Sequence, residues 1–431
     1  FEYSSKQTRS FSIDSDDIVI SAYQPKSVLA QILLEPQTMV EDSLTYDITA
    51  WSIPYAYGLE AYATKTRLTV NKKGEAAEFT PNEVPDNAYA FLLEWKNLND
   101  ARLLGALLEA GVKTRFAEQA FTYSGKQYDP GTIVIAKRDN KDLGEAFEKT
   151  ITQMANDHQR TLFSTNTGFA ESGPDLGSSD IVYLEKPEIA LIGGDGSSSL
   201  DFGATWHFFE QQLGYPVTVL GTHYLGRVDL DKYNVVIMQS GNYNSIGNRG
   251  MQKIQEWVES GGKLIAVQDA LQTLQNAEFT ALSGHNDDGD KSTQDKIKKE
   301  VAEKRQSMKY ADREREYAKQ IVPGAIFRVS LDNTHPLAFG YDETYFSLKT
   351  DNHRFGLLSN GWNVGTIENS NDHMAGFAGH YVKRAVTNSM VFGTESIGQG
   401  QIVYMVDNPL FRAFWYDGKL LFCNAIFFVG Q

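Results

Sequence analysis

The stretch Gly261-Gly262-Lys263-Leu264-Ile265-Ala266-Val267-Gln268-Asp269-Ala270-Leu271 predicts a buried strand, a sharp turn and the start of a helix. The strand is the apolar run at 264–267. A nucleophile is often mounted on such a strand–turn–helix elbow, because the turn lifts one side chain above the carboxyl edge of the sheet. This stretch therefore indicates both the fold and the place to look for chemistry.

The segments before the elbow complete a strand–helix–strand unit. Residues 233–239 (YNVVIMQ) form an apolar, β-branched run typical of a strand. Residues 250–260 have helical spacing and end at two glycines, which is a helix C-cap signal. Units of this kind build parallel sheets with right-handed crossovers, so the predicted fold class is α/β.

The elbow resembles that of the class I glutamine amidotransferases, in which the frame Gly-x-Cys-x-Gly carries a cysteine nucleophile. Here the frame reads Ala266-Val267-Gln268-Asp269-Ala270. The family's late strand ends in His-Pro-Glu, and the matching segment here ends in Asn408-Pro409-Leu410. Gln268, Asn408 and Leu410 would thus be degenerate triad positions, and a glutamine amide has negligible nucleophilicity. The resemblance implies a flavodoxin-like or Rossmann-like three-layer domain without the amidotransferase chemistry.

A second resemblance covers nearly the whole chain. Residues 22–27 (AYQPKS), Asp42-Ser43-Leu44-Thr45-Tyr46-Asp47, residues 55–58 (YAYG) and residues 173–178 (GPDLGS) are similar to the region downstream of the catalytic domain in secreted bacterial zinc carboxypeptidases of the carboxypeptidase A-like family. The resemblance implies an upstream carboxypeptidase domain as partner and a secreted or periplasmic location. It also implies no cofactor here, with zinc only in the absent catalytic domain. The start at Phe1, without methionine, fits a processed or excised piece.

Three regions are predicted along the chain. Residues 1–75 form an aromatic-rich, strand-like linker region, residues 76–180 a small α/β domain, and residues 181–431 the amidotransferase-like domain. A charged stretch at about 284–320 predicts an inserted, exposed helix or a flexible arm. In the small domain the patterns predict strands at 88–94, 113–117 and 132–136, a hairpin at 121–128, and helices at 101–110 and 142–158. The first of these helices has Asn99 and Asp100 as its cap signal.

Composition excludes some partners. The chain carries 40 Lys and Arg against 55 Asp and Glu, a net charge of −15. This balance argues against nucleic acid, because no basic stripe is present to neutralise phosphates. No apolar run reaches the roughly 18 residues of a membrane span. The single cysteine, Cys423, excludes an internal disulfide, and its apolar surroundings predict a buried, inert thiol.

Polar residues at the carboxyl edge of the predicted sheet define a candidate ligand crevice. Open α/β sheets bind ligands at this edge. The crevice would contain His223, Asn242, Tyr243 and Asp269, beside Gln268 and Asn408. The alternative is a vestigial site whose polar side chains bond one another. The glycine-rich loop at 193–199 could cradle phosphate, but it lacks the spacing of a dinucleotide or P-loop motif, which favours a plain turn.

Several residue patterns resemble metal-binding motifs, but most of these residues are predicted to have a structural role. His207-x-x-Glu210 with His335 matches carboxypeptidase zinc ligands, but it falls inside a helix predicted at 202–213, and His335 reads as a loop anchor. The apolar face of that helix would consist of Trp206, Phe209 and Leu213. The cluster Asp287-Asp288-Gly289-Asp290 lacks the full calcium-loop pattern and reads as a solvated loop. A metal or acid–base site stays open for a last group, which comprises Asp351, His353, Asp372, His373 and His380.

Three functions remain in view. The chain is a non-catalytic accessory region that packs domains or binds a substrate or partner. Alternatively, it is a hydrolase in its own right that uses a polar crevice near Gln268 and Asp269. As a third option, its many aromatic residues fit a module that binds carbohydrate or peptide.

Overall fold

The computed structural model of this chain describes residues 1–14, 17–37, 50–69, 78–277, 279–282 and 291–431. The segment Asp42–Asp47, on which part of the carboxypeptidase resemblance depends, lies outside these residues, as does the acidic cluster Asp287–Asp290. Among the described residues, no helix is both long and apolar enough to cross a membrane.

The N-terminal region differs from the prediction. Its described residues form helices α1 (Ser27–Leu34) and α2 (Ile53–Ala56) and a single bridge between Glu2 and Tyr62. The weakly alternating run at 18–23, within the region predicted to be strand-like, forms no strand, and Ile18 is 90% exposed. The alternating pattern fails here because a strand needs a hydrogen-bonding neighbour, which the described residues do not supply.

The small domain contains a five-stranded antiparallel sheet. Its elements are β1 (Ala90–Leu93), α3 (Leu98–Glu109), β2 (Arg115–Ala117), β3 (Phe121–Tyr123), β4 (Lys126–Tyr128), β5 (Ile133–Ala136), α4 (Phe147–Asp157), β6 (Phe163–Thr165) and β7 (Ile181–Tyr183). The strand order is β6-β1-β5-β2-β7, and β3 and β4 form a separate hairpin. Since β7 pairs with β2, this sheet extends past residue 180.

Both helices of the small domain begin at different residues from those predicted. The cap of α3 is Asn97, whose side chain accepts the backbone N–H of Asn99, and Asp100 bonds back to the N–H of Asn97. This reciprocal pair is a capping box. Helix α4 begins only at Phe147, because Gly144 has φ 51° and ψ −131°, a conformation outside any helix.

A ten-stranded mixed sheet forms the rest of the chain. Its elements are β8 (Ile189–Gly193), α5 (Ser199–His207), β9 (Thr218–Gly221), β10 (Val235–Met238), α6 (Gly247–Glu259), β11 (Lys263–Val267), α7 (Asp269–Asn276), α8 (Lys291–Ser307), α9 (Arg313–Ala318), β12 (Gly324–Leu331), β13 (Thr344–Lys349), β14 (Trp362–Ile367), β15 (His373–Phe377), α10 (His380–Ala385), β16 (Ser389–Ile397), β17 (Gly400–Met405) and α11 (Gly418–Phe427). The main strand order is β13-β12-β14-β16-β17-β11-β10-β8-β9, and β15 pairs with β12.

The sheet has a parallel half and an antiparallel half. Strands β9, β8, β10, β11 and β17 are parallel, while β16, β14, β12, β13 and β15 are joined by antiparallel pairing. One face of the parallel half packs with α11 and residues 208–213, and the other packs with α6 and α7. Helices on both faces give three layers, so the predicted α/β class is confirmed.

Two helix predictions in this part need correction. The helix that starts at α5 continues as a π-helix over Phe208–Leu213. The wider turn rotates the buried face, so Phe208, Phe209 and Leu213 point inward while Trp206 is exposed. The sequence also predicts a closing helix at 411–427, but this helix runs only from Gly418 to Phe427, because Arg412 and Ala413 have φ of 49° and 56° and interrupt it.

Helix α11 joins the two sheets. All ten of its residues are buried. The side-chain oxygen of Asn424 accepts the indole N–H of Trp95 at 2.7 Å, and its amide donates to the carbonyls of Leu337 and Phe339. Just after the helix, the ring of Phe428 contacts Trp95 and Phe116 at centroid distances of 4.6 and 4.8 Å. The core is therefore continuous between the small domain and the large sheet.

The charged insertion contains two helices, α8 and α9. Arg384 on α10 holds α8 through an ion pair with Glu300 at 2.9 Å. Tyr381, also on α10, donates to Glu316 of α9. The stretch predicted as an exposed helix or arm is thus helical where it is described, and it packs beside α10.

Candidate functional site

Gln268 occupies the elbow between β11 and α7. Its backbone has φ 49° and ψ −117°, a left-handed conformation that is uncommon for residues other than glycine. The backbone N–H donates to the carbonyl of Met405 at 2.8 Å, and the side-chain amide donates to Asp351 at 2.9 Å. The elbow therefore has the strained geometry of a nucleophile position, and it holds a buried amide that is already engaged.

Asp269 lies beside the elbow with two partners. One carboxylate oxygen accepts the hydroxyl of Ser240 at 2.6 Å, and the other is 2.7 Å from Nε2 of His353. The bond from His353 lowers the pKa of Asp269, and the same bond raises the pKa of His353. The carboxylate stands between the hydroxyl and the imidazole, so Ser240 has no imidazole base of the kind that activates a serine nucleophile.

A buried ion pair continues this network below the elbow. Nζ of Lys349 donates to Asp407 at 2.9 Å and lies 3.9 Å from Asp351. Ser347 donates to the other oxygen of Asp407 at 2.7 Å. Burial raises the pKa of Asp407. Burial would by itself lower the pKa of Lys349, and the carboxylate of Asp407 reverses that effect and raises it.

The positions that match the family's histidine and glutamate also bond within the protein. The amide of Asn408 donates to Asp201 at 2.9 Å, and its oxygen accepts the backbone N–H of Leu410. Asp201 in turn accepts the hydroxyl of Ser198, the N-cap of α5. Leu410 is buried in the core. Asn408 is therefore hydrogen-bonded within the protein, and Leu410 is packed in the core.

Main-chain bonds cross the edge of the sheet between β8 and β10. This is the topological switch point, since β8 leads to α5 on one face and β10 leads to α6 on the other, and open α/β sheets bind ligands there. Here Ser198 N–H donates to the carbonyl of Ser240, and Asn242 N–H donates to that of Gly196, each at 2.8 Å. A Cβ at Gly196 would lie 2.1 Å from the carbonyl oxygen of Asn242. The glycines of this loop thus permit two backbones to meet.

The remaining residues of the predicted crevice have separate partners. Tyr243 is buried, and its hydroxyl donates to the carbonyl of Gln239 at 2.6 Å. His223 is exposed and lies 2.7 Å from Asp195. The side chain of Asn242 accepts the backbone N–H of Asn244. The bonds just described join Asp269 to Ser240 and His353, and they do not link it to His223 or Asn242.

The histidines of the predicted metal-ligand patterns differ in their surroundings. His335 accepts the N–H of Leu337 and lies 3.2 Å from the hydroxyl of Thr394, so its predicted role as a loop anchor is confirmed. His207 and Glu210 are exposed on the helix. Nε2 of His373 is 3.1 Å from the carbonyl of Gly376. Within the described residues, no group of three or more His, Cys, Asp or Glu side chains is arranged to hold a metal ion.

Five residues of these hydrogen-bond networks escaped the sequence analysis: Asp201, Ser240, Ser347, Lys349 and Asp407. One signal was available. The alternating strand that ends at Lys349 runs directly into Asp351 and His353, so three ionisable residues gather where a strand ends. Their partners are distant in sequence, since 84 residues separate Asp269 from His353, and spacing alone cannot join them.

Comparisons with known proteins give only weak similarities. No protein-family model matches the chain, and no curated protein is significantly similar to it. A solved cytoplasmic protein from Salmonella typhimurium shares 11% identity over 56% of this chain and 98% of its own, with a TM-score of 0.31. A putative GMP synthase subunit from Thermoplasma acidophilum shares 8% over 56% and 92%, with a TM-score of 0.34. A glutamine amidotransferase from Thermotoga maritima shares 11% over 52% and 75%, with a TM-score of 0.30. These TM-scores are below 0.5, so the fold rests on the strand order given above.

Proposed function

We propose that this chain is a non-catalytic region with an amidotransferase-like fold, in which the former site is filled by its own polar side chains. The observation that carries the proposal is Gln268, which stands at the elbow and donates its amide to Asp351. An amide has no ionisable group, so it cannot replace a thiolate. The main-chain bonds between the loops after β8 and β10 support the same interpretation.

The finer part of the proposal concerns the parent protein. The chain is an accessory region of a secreted or periplasmic zinc carboxypeptidase-like metallopeptidase, and it packs against the catalytic domain or binds substrate or a partner. The support is the sequence similarity at 22–27, 55–58 and 173–178. In this proposal the zinc belongs to the catalytic domain, and Gln268, Asn408 and Leu410 are relics of a triad.

The test makes three measurements on the purified chain: release of ammonia from glutamine, release of C-terminal amino acids from peptides, and the content of bound zinc. We expect none of the three. The matched variant is Gln268→Cys, which returns a thiol to the elbow and leaves the rest of the network in place. Glutamine hydrolysis by the wild-type chain, or stoichiometric zinc in it, contradicts the proposal.

A second candidate function is hydrolysis by Asp269 and His353. It is favoured by one observation, that the side chain of Asp269 is 49% exposed although it holds an imidazole at 2.7 Å. Asp269→Ala should then abolish a measured hydrolytic activity without unfolding the chain. Asp195→Ala is the matched control, because it removes a carboxylate that pairs with His223 at the same distance. Equal activity in both variants rejects this candidate.

A further inference from the structure

Two adjoining cavities form a groove at one end of the small sheet. One has a volume of about 590 Å³ and the other about 680 Å³, and both are lined by Tyr89 and Asn166. The start of β1 and the ends of β5 and β6 meet here, because these strands run antiparallel. Volumes of this size suit a small-molecule ligand.

The first cavity has a positive lining in a chain of net charge −15. Its ionisable lining residues are Lys137, Arg138, Lys141 and Glu145, an excess of two positive charges. Lys137 is paired with Glu148 at 2.6 Å. Lys141 makes no ion pair with any side chain in the described part of the chain.

Arg138 is only weakly paired within the protein, so its guanidinium can bind a ligand. Its neighbour Asp139 is 3.5 Å away and is already bound by Arg115 at 2.8 and 3.1 Å. The hydroxyl of Tyr183 donates to the same carboxylate. The side chain of Arg138 is 57% exposed, and a planar guanidinium can bind a carboxylate through two parallel hydrogen bonds.

The rest of the groove offers aromatic faces, neutral polar groups and one carboxylate, that of Asp175, which accepts the backbone N–H of Ala170 at 2.8 Å. Phe169 is 76% exposed, and the ring of Tyr89 lies between the two cavities. Gly168 allows that arrangement, since a Cβ there would lie 2.7 Å from the Tyr89 hydroxyl. The neutral hydrogen-bonding side chains of the lining include those of Asn87, Asn166, Thr167 and Ser178. Asn140 also lines the first cavity, but its side chain is buried and bonded to the backbone of Lys113 and Ala136.

The lining favours one class of ligand. Its aliphatic contribution is limited to Ala88, so the groove lacks the apolar pockets that an extended peptide uses for alternate side chains. Aromatic faces, amides and hydroxyls instead match the apolar faces and hydroxyl groups of sugar rings. The positive end adds a site for a carboxylate.

We propose that this groove binds an acidic oligosaccharide, with a carboxylate-bearing sugar beside Arg138 and Lys141 and the next sugars along Tyr89 and Phe169. This site is separate from the elbow and does not depend on the proposed function. It gives the chain a ligand class, anionic saccharides, that the edge of the large sheet does not suggest.

Calorimetric titration of the full chain with trigalacturonate tests the proposal. We expect saturable binding that weakens as NaCl is raised, because salt screens charges at an exposed site. Neutral maltotriose should bind more weakly by at least about tenfold. No saturable binding of trigalacturonate overturns the proposal. Stronger binding of pentaglutamate than of trigalacturonate also overturns it, and assigns the groove to acidic peptides.

Matched variants locate the binding. Arg138→Glu and Lys141→Glu should each raise Kd for trigalacturonate by about tenfold or more, which equals about 1.4 kcal/mol. Lys232→Glu makes the same charge change on an exposed residue outside the groove and should leave Kd unchanged. Phe169→Ala should also weaken binding. If the two groove reversals change Kd no more than Lys232→Glu does, the groove is not the site.

Discussion

At the scale of single residues, Gln268 combines two opposing effects. Its φ of 49° is unfavourable for any residue with a Cβ. The hydrogen bonds from its side-chain amide to Asp351 and from its backbone N–H to Met405 hold it in place. Strain of this kind costs about 1–3 kcal/mol and persists when surrounding contacts enforce it. The strain can therefore be measured separately from the hydrogen bond.

We expect Gln268→Gly to be more stable than Gln268→Ala by about 1 kcal/mol in urea unfolding. Both variants lose the bond to Asp351, and only glycine relieves the left-handed backbone. Gln272, exposed on the same helix, is the matched control, and there alanine should exceed glycine by about 1 kcal/mol. The same order of stability at both positions would contradict the strain at the elbow.

The pair formed by His353 and Asp269 predicts a dependence of stability on pH. The bond raises the pKa of His353 above 6.5 and lowers that of Asp269 below 3.8. The stability from His353 is complete below pH 6.5 and is lost as pH rises through its raised pKa; that from Asp269 is complete above pH 3.8. The stability difference between wild type and His353→Gln should thus be larger at pH 5.5 than at pH 8.5.

His335 provides the control with the opposite sign. Burial lowers its pKa to about 4, so the unfolded chain binds the proton more readily between pH 4 and 6.5. The stability difference between wild type and His335→Gln should therefore grow as pH rises through that range. Thermal unfolding at several pH values measures both differences. A parallel trend for the two histidines would refute the assignment of the His353 bond.

At the scale of secondary-structure elements, β11 and α11 are tied by Lys263. Lys263 is buried, and its Nζ donates to the carbonyl of Ile426 in α11 at 2.7 Å and to that of Val429, two residues beyond the helix, at 2.6 Å. The carbonyl of Ile426 is among those that a helix leaves without intrahelical partners. An amine at the start of one element thus satisfies the end of another.

We expect the stability advantage of wild type over Lys263→Met to increase from pH 7 to pH 10. Burial lowers the pKa of Lys263 to about 7 from 10.5, so between these values the unfolded chain binds more protons. Stability therefore rises with pH in this range, and the neutral amine can still donate to both carbonyls. Urea midpoints at pH 7, 8.5 and 9.5 provide the measurement, with Lys232→Met as the exposed control. A constant difference would contradict the prediction.

The sequence predicts elements better where the signal is local. The elbow at Gln268 follows from an apolar strand and the helix after it, and Gly261 and Gly262 end α6 as expected. The start of α11 could not be predicted, because Arg412 and Ala413 are ordinary helix formers whose positive φ has no signal in the sequence. The pair between His353 and Asp269 was also hidden, since it requires the relative placement of β11 and the segment after β13.

At the scale of the whole molecule, two sheets share one core. Trp95 and Phe116 of the small domain pack on Phe428, which follows α11. The α/β class could be read from the strand and helix periods along the chain. The order of the antiparallel half could not, because pairings such as β12 with β15 join distant segments whose patterns do not specify a partner.

The shared core predicts a single unfolding transition. Tryptophan fluorescence and far-UV circular dichroism should give coincident urea curves, because the small sheet cannot lose α11 without exposing its apolar side. Trp95→Ala removes a ring contact and the bond to Asn424, and it should separate the two curves. Leu200→Ala, at an exposed position, should leave them coincident. Two separate transitions in the wild-type chain would show that the sheets fold independently.

The backbone bridge between Gly196 and Asn242 closes the edge of the sheet between β8 and β10 in a way that substitutions cannot open. Placing cysteine at 268, histidine at 408 and glutamate at 410 would supply the side chains of the amidotransferase triad but would leave these main-chain hydrogen bonds intact. A protein engineer who wanted a working pocket here would have to lengthen or re-route one of the two loops. Opening this edge thus requires insertions, and not only substitutions.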